Sequence, residues 1–142
     1  MENNMVTEYC VSFETAKLLK EKGFDGKCHA FYRKTLLNNK ITDKAELHIS
    51  THLSLTNSNL QDKLYKEIVY CVAPTLQMAM KWLRKEYNIH IEPRYFPTPN
   101  IYRYVIIHSP VTFENIDSHP QYFNTNEEAC EAAIKYCLEN LI

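Results

Sequence analysis

The residues with reactive side chains are six histidines and five cysteines, and their spacing decides what chemistry they can do. His48 and His52 fall on one face of an alternating stretch, but four residues of strand separate them by roughly 13 Å, too far to share an ion. His108, Asp117 and His119 could meet only through a loop. Cys28 and His29 suggest a nucleophile and its base. On a strand, however, neighbouring side chains point to opposite faces, so the pair does not meet. Cys10, Cys28, Cys71, Cys130 and Cys137 are an odd number without a CxxC pair, which disfavours a zinc site or a disulfide framework and fits reduced thiols. Two glycines in 142 residues leave no glycine-rich phosphate loop. Carboxylates lie mostly on outer helix faces, where solvation accounts for them. The reading is no catalytic residue, no metal and no cofactor.

One constellation remains. Lys81, Arg84 and Lys85 form a basic stripe on the outer arc of a helix. The following hairpin adds Arg94 and Arg103 with Tyr95, Tyr102 and Tyr104. Together these eight could track phosphates and stack bases on single-stranded nucleic acid. The same tyrosines supply large contact area at low entropic cost, which suits a protein partner or self-association.

The elements that must position them are legible from caps and periodicity. A helix is expected over Phe13 to Lys22, with Ser12 as N-cap and Gly23 in the left-handed stop, Phe24 folding back on Leu19. Cys28 to Arg33 reads as a strand. Ala45, Leu47, Ile49, Leu53 and Leu55 alternate with Glu46, His48, Ser50, His52 and Ser54, predicting one dry and one wet face. Asn57 to Asp62 reads as a loop and Glu67 to Val72 as a short strand. A second helix, Leu76 to Tyr87, enters through Pro74 with Thr75 as N-cap. It buries Leu76, Ala79, Met80, Trp82, Leu83 and Tyr87, and stops at Asn88. Ile89 to Phe96 and Ile101 to His108 flank Pro97-Thr98-Pro99-Asn100 as a hairpin. Pro93 marks the first of these as an edge or bulged strand. Pro110 to Asn124 reads as a polar loop. The last helix, Asn126 to Asn140, carries the Thr125 and Glu128 capping box and buries Ala129, Cys130, Ala133, Ile134, Cys137 and Leu141. The order predicts an α+β fold over residues 1–142 as a single domain, with a mostly antiparallel sheet of four to five strands and three helices.

Apolar residues at 45%, charged residues at 23% and a net charge of −1 are ordinary globular values, giving no global field for nucleic acid or an anionic membrane. No apolar run approaches the length of a membrane span, and Met1 to Thr7 is polar and acidic, unlike a signal peptide. A cytoplasmic protein is expected.

Three segments resemble a group of small phage and prophage proteins of gut bacteria: VSFETAKLLKEKGF at Val11 to Phe24, CVAPTLQMAMKWLRKEYNIHI at Cys71 to Ile91, and EEACEAAIKYCLENLI at Glu127 to Ile142. The likeness is strongest from Ala73 to Arg84. It implies a mobile-element origin and a bacterial cytoplasm, with a host or phage protein as partner, and carries over no catalytic residue.

Overall fold

The computed structural model describes residues 9–34, 36–37, 40–41, 44–50, 54–60, 68–108, 111–114 and 122–142. The expectations for His52, Leu53, Glu67, Asp117 and His119 lie outside the described residues. The chain forms two compact units, Met1–Thr75 and Leu76–Ile142, described in turn below. The boundary falls at the entry to the second helix, where the sequence has no linker composition.

The first unit contains α1 (Phe13–Glu21), β1 (Ala30–Lys34), β2 (Leu36–Leu37), β3 (Lys40–Ile41), β4 (Glu46–Ile49) and β5 (Ile68–Val72). Ser12 caps α1 as expected, its Oγ accepting from the Thr15 N–H at 3.3 Å. Gly23, at φ +92, ends it. The Gly23 N–H bonds the Lys20 carbonyl at 3.1 Å and the Phe24 N–H bonds the Leu19 carbonyl at 2.9 Å, the two bonds of a Schellman stop. Phe24 and Leu19 are both buried.

Strands β4, β1 and β5 form an antiparallel sheet in that order, and α1 packs on β5. Strands β2 and β3 pair as a separate two-stranded ladder. The predicted dry and wet faces of the alternating stretch are realised only in part: Leu55 is buried and Glu46 exposed as expected. Ile49, expected inward, is 44% exposed. His48, expected on the wet face, is half-buried and stacks on the Phe31 ring at 5.7 Å. The reason lies in β1. Phe31 and Tyr32 point to opposite faces and are both buried, so each side of this sheet carries a large ring. Tyr32 can be buried because its hydroxyl donates to the Val11 carbonyl at 2.7 Å. Asn57 then ties the unit together. Its amide nitrogen donates to the Phe24 carbonyl at 2.7 Å, and its amide oxygen accepts from the Val72 N–H at 3.0 Å.

The second unit contains α2 (Leu76–Tyr87), β6 (Ile89–Phe96), β7 (Ile101–His108), β8 (Val111–Glu114) and α3 (Asn126–Asn140). Both helices and the hairpin match their expected bounds. Strands β6, β7 and β8 form an antiparallel sheet in that order. The stretch expected as a polar loop after His108 thus contributes a strand, β8, and a second pairing in which Phe123 bridges to Tyr102. Within β8 itself Val111 and Phe113 are the apolar signals, too few to show a period.

Helix α3 packs on β6 and β7, and α2 packs on β6 and α3. Their buried arcs are Leu76, Ala79, Met80 and Leu83 on α2, and Ala129, Cys130, Ala133, Ile134, Cys137 and Leu138 on α3. Trp82 and Tyr87, expected in the core, are only half-buried and pack edge to face at 5.3 Å, and Leu141 is half-buried too. Thr125 caps α3, accepting from the Glu128 N–H at 3.1 Å, while the Glu128 carboxylate accepts from the Asn124 N–H at 3.0 Å. The α+β class and the antiparallel pairing hold among the described residues; the strands are divided between sheets.

Candidate recognition cleft at the hairpin end

Register sorts the hairpin side chains into two faces. Residues directly opposite in an antiparallel pair share a face, and the face changes at each step. One face carries Ile89, Ile91, Pro93 and Tyr95 from β6 and Tyr102, Tyr104, Ile106 and His108 from β7. The other carries His90, Glu92, Arg94 and Phe96 opposite Ile107, Val105, Arg103 and Ile101. Ile89, Ile91, Tyr104 and Ile106 are buried, so the first is the face that the helices cover.

The eight residues singled out in the sequence therefore do not form one surface. Lys81, Arg84 and Lys85 are exposed on the outer arc of α2, opposite its buried arc. Tyr95, Tyr102 and Tyr104 share the covered face. Tyr104 is 8% exposed, and burial raises its phenol pKa, with Tyr136 and Cys137 adding to the effect. Tyr95 lies at the exposed end of that face, bonded to Asn100 Oδ1 at 2.8 Å and 5.0 Å from the Tyr102 ring. Arg94 and Arg103 sit opposite each other on the other face.

That second face opens toward the hairpin end. The Tyr102 N–H and carbonyl both bond to Phe123, at 2.8 and 3.0 Å. This bridge places Tyr122 beside Arg103, one step along the ladder. Arg94, Arg103 and Tyr122 thus form a row across three segments. The Arg103 guanidinium lies 4.4 Å from the Tyr122 ring centre and 5.2 Å from that of Phe96, within cation–π range of both. Its Nε is sealed from water and has no acceptor among the described residues. Beside it is a cleft of about 360 Å³ lined by Phe96, Thr98, Pro99, Ile101, Arg103 and Tyr122. The lining is mostly apolar, with Arg103 and Thr98 as polar members, and Tyr122 is 54% exposed.

The same ladder explains Pro93. Because Tyr102 directs its N–H and carbonyl away from β6, the Tyr95 and Tyr102 pair is not hydrogen-bonded. Pro93, two residues along, sits in the same phase, so its missing N–H falls on the outer edge of β6. Pro93 is in an edge strand, with the register unbroken.

Phe96, Ile101 and Tyr122 were missing from the sequence-based site. Phe96 and Ile101 read as strand ends. Tyr122 stands in the stretch read as a polar loop, next to a second ring, Phe123.

All five thiols are buried and unpaired. Burial pushes Cys28, Cys71 and Cys137 up to about 12 and Cys130 up to about 11, so none is a thiolate near neutrality. Cys28 is buried while His29 is exposed. No three His, Cys, Asp or Glu side chains among the described residues converge as metal ligands. No helix among them is long and apolar enough to cross a membrane. The cleft itself offers donors in one plane and ring faces, which suits an anion attached to an apolar body. Comparison with protein families, with curated proteins and with solved structures found no match.

Proposed function

We propose that this chain is a non-enzymatic accessory protein of phage or prophage origin, that it acts in the cytoplasm by binding another protein, and that the hairpin end of its second unit is the binding surface. The observation that carries the reading is Arg103, held between two rings at the floor of an open apolar cleft. Aromatic and arginine side chains in one partly desolvated pocket are the usual energetic centre of a protein interface. The buried thiols weigh against an enzyme. The placement of the tyrosines and arginines on opposite hairpin faces weighs against a nucleic-acid groove that would need both together. The phage origin rests on the three helix-bearing segments quoted above, and neighbouring phage genes in the source genome would support it.

Site-specific photo-crosslinking in bacterial cells tests the surface. With benzoylphenylalanine in place of Tyr122, the expected product is a discrete adduct with a second protein. The same group in place of Lys81 is expected to give none. Adducts only from the Lys81 position, or only between copies of this chain, would overturn the assignment.

A further inference from the structure

Resting on that reading, we infer that the cleft recognises an acidic peptide segment of the partner, with a carboxylate on the Arg94 and Arg103 pair and a neighbouring apolar side chain among Phe96, Pro99 and Ile101. Three observations point there. First, the rings of Phe96 and Tyr122 lie near the Arg103 guanidinium at 5.2 and 4.4 Å and its Nε is sealed, leaving the in-plane Nη–H groups as the available donors. A carboxylate meets a guanidinium in that plane, through two parallel hydrogen bonds. Secondly, Arg94 stands opposite Arg103 in register, and neither has an ion-pair partner among the described side chains. Like charges directly opposite on a sheet repel, and an anion between them relieves the repulsion. Thirdly, the cleft of about 360 Å³ is at the small end of ligand pockets and is otherwise apolar, room for a side chain or two beside the charge.

A nucleic-acid strand shares the anionic chemistry but needs cations spaced along a track. The remaining basic stripe lies on α2, a helix whose buried arc packs on the sheet through β6 and whose cations point outward. Two arginines in register, one of them lining a mostly apolar pocket, fit one carboxylate and its neighbour better than a run of phosphates.

The test is selection of a random dodecamer display library on the full chain, followed by affinity measurement with a synthetic consensus peptide. The expected consensus has Asp or Glu beside an aromatic or aliphatic residue. Binding is expected to weaken about tenfold on Arg103→Ala, and equally when the peptide carboxylate becomes an amide, the scale of a charge-assisted hydrogen-bond pair. Arg94→Ala, at an exposed position that cannot disturb the core, is expected to weaken it severalfold. Enrichment of peptides without acidic residues, no enrichment at all, or unchanged affinity in Arg94→Ala and Arg103→Ala overturns the inference. So does Arg103-dependent binding of an oligothymidylate. If crosslinking at Tyr122 still captures a protein in any of these cases, the proposed surface stands and only the acidic-peptide assignment falls.

Discussion

The eight register pairs of the β6–β7 hairpin divide four to each face, and the two faces have opposite chemistry. On the covered face Ile89, Ile91, Tyr104 and Ile106 are buried under α2 and α3, while Tyr95 at the hairpin end is exposed. The other face buries Val105 but toward its end sets two arginines opposite each other and leaves Tyr122 more than half exposed. A fold gains nothing from like charges in register or from a shielded guanidinium nitrogen without an acceptor. The covered face is what stability requires. The open face carries features that stability does not explain, which is why the recognition surface is placed there.

The comparison breaks most sharply at Ile106 against Arg103. Ile106 is fully buried on the covered face, so Ile106→Ala is expected to cost about 2–5 kcal/mol, from lost burial plus the cavity left behind. Urea unfolding of the full chain measures it. Arg103→Ala removes cation–π contacts worth about 1 kcal/mol but also a desolvated donor without a partner, so its stability change is expected to stay below about 1 kcal/mol. If Arg103→Ala proved as destabilising as Ile106→Ala, the open face would be structural and the functional assignment would lose its basis.

Alkali separates the faces next. The thiol of Cys137 on α3 is raised from the ordinary 9.0 to about 12, that of Cys130 to about 11, and the Tyr104 phenol is raised as well. Between the ordinary and the raised values the unfolded chain has lost these protons and the native chain retains them. The unfolded state then binds fewer protons, so stability falls as pH rises. The contribution is whole below about pH 9 and is lost toward about pH 12. The thiols of Cys28 and Cys71 in the first unit push the same way. The urea midpoint is expected to drop between about pH 8 and about pH 10. Arg103→Ala should follow the wild-type pH curve, since the substitution leaves the buried thiols and the Tyr104 phenol in place.

How far the sequence carries these distinctions depends on the range of the interaction. Caps and stops are set by residues within one turn, so Ser12, Gly23, Asn88 and Thr125 announce their roles and the structure follows them. The hairpin is equally local, with both strands and the four-residue connection readable from composition. What decides the site is long-range. Tyr122 reaches Arg103 only because Phe123 pairs with Tyr102, a contact across twenty residues that no periodicity encodes. Asn57 is similar, since bridging Phe24 to Val72 needs the fold already in place. Arg103 itself was legible as a candidate, but its company was not. The sequence groups it with tyrosines that alternate onto the other face, an error of register rather than of residue type. Trp82 shows the same limit on a helix, where the arc predicted its direction but not how far the covering sheet extends.

Thr125→Ala is a smaller probe of the covered face. It removes the hydroxyl that accepts from the Glu128 N–H and loosens the first turn of α3, the helix that roofs β6 and β7. The expected cost is about 1 kcal/mol in urea unfolding. Peptide affinity at the cleft should not change, because no lining residue belongs to α3. Lost affinity without global unfolding would mean that the two faces are coupled through the sheet.

The smallest expected effect is also the one that decides between the surface read from sequence and the one read from structure. Lys81→Glu with Arg84→Glu reverses two charges on the exposed arc of α2. Neither side chain has an ion pair or a ring contact among the described residues. Exposed substitutions of this kind usually change stability by about 0.5 kcal/mol or less. The double variant should therefore unfold like the wild type. It should also keep its affinity for the consensus peptide, since neither residue lines the cleft. An undiminished crosslink from the Tyr122 position would place recognition at the arginine row alone. Loss of that crosslink in a folded double variant would return the basic helix stripe to the binding surface, and the cleft would then be one part of a larger interface.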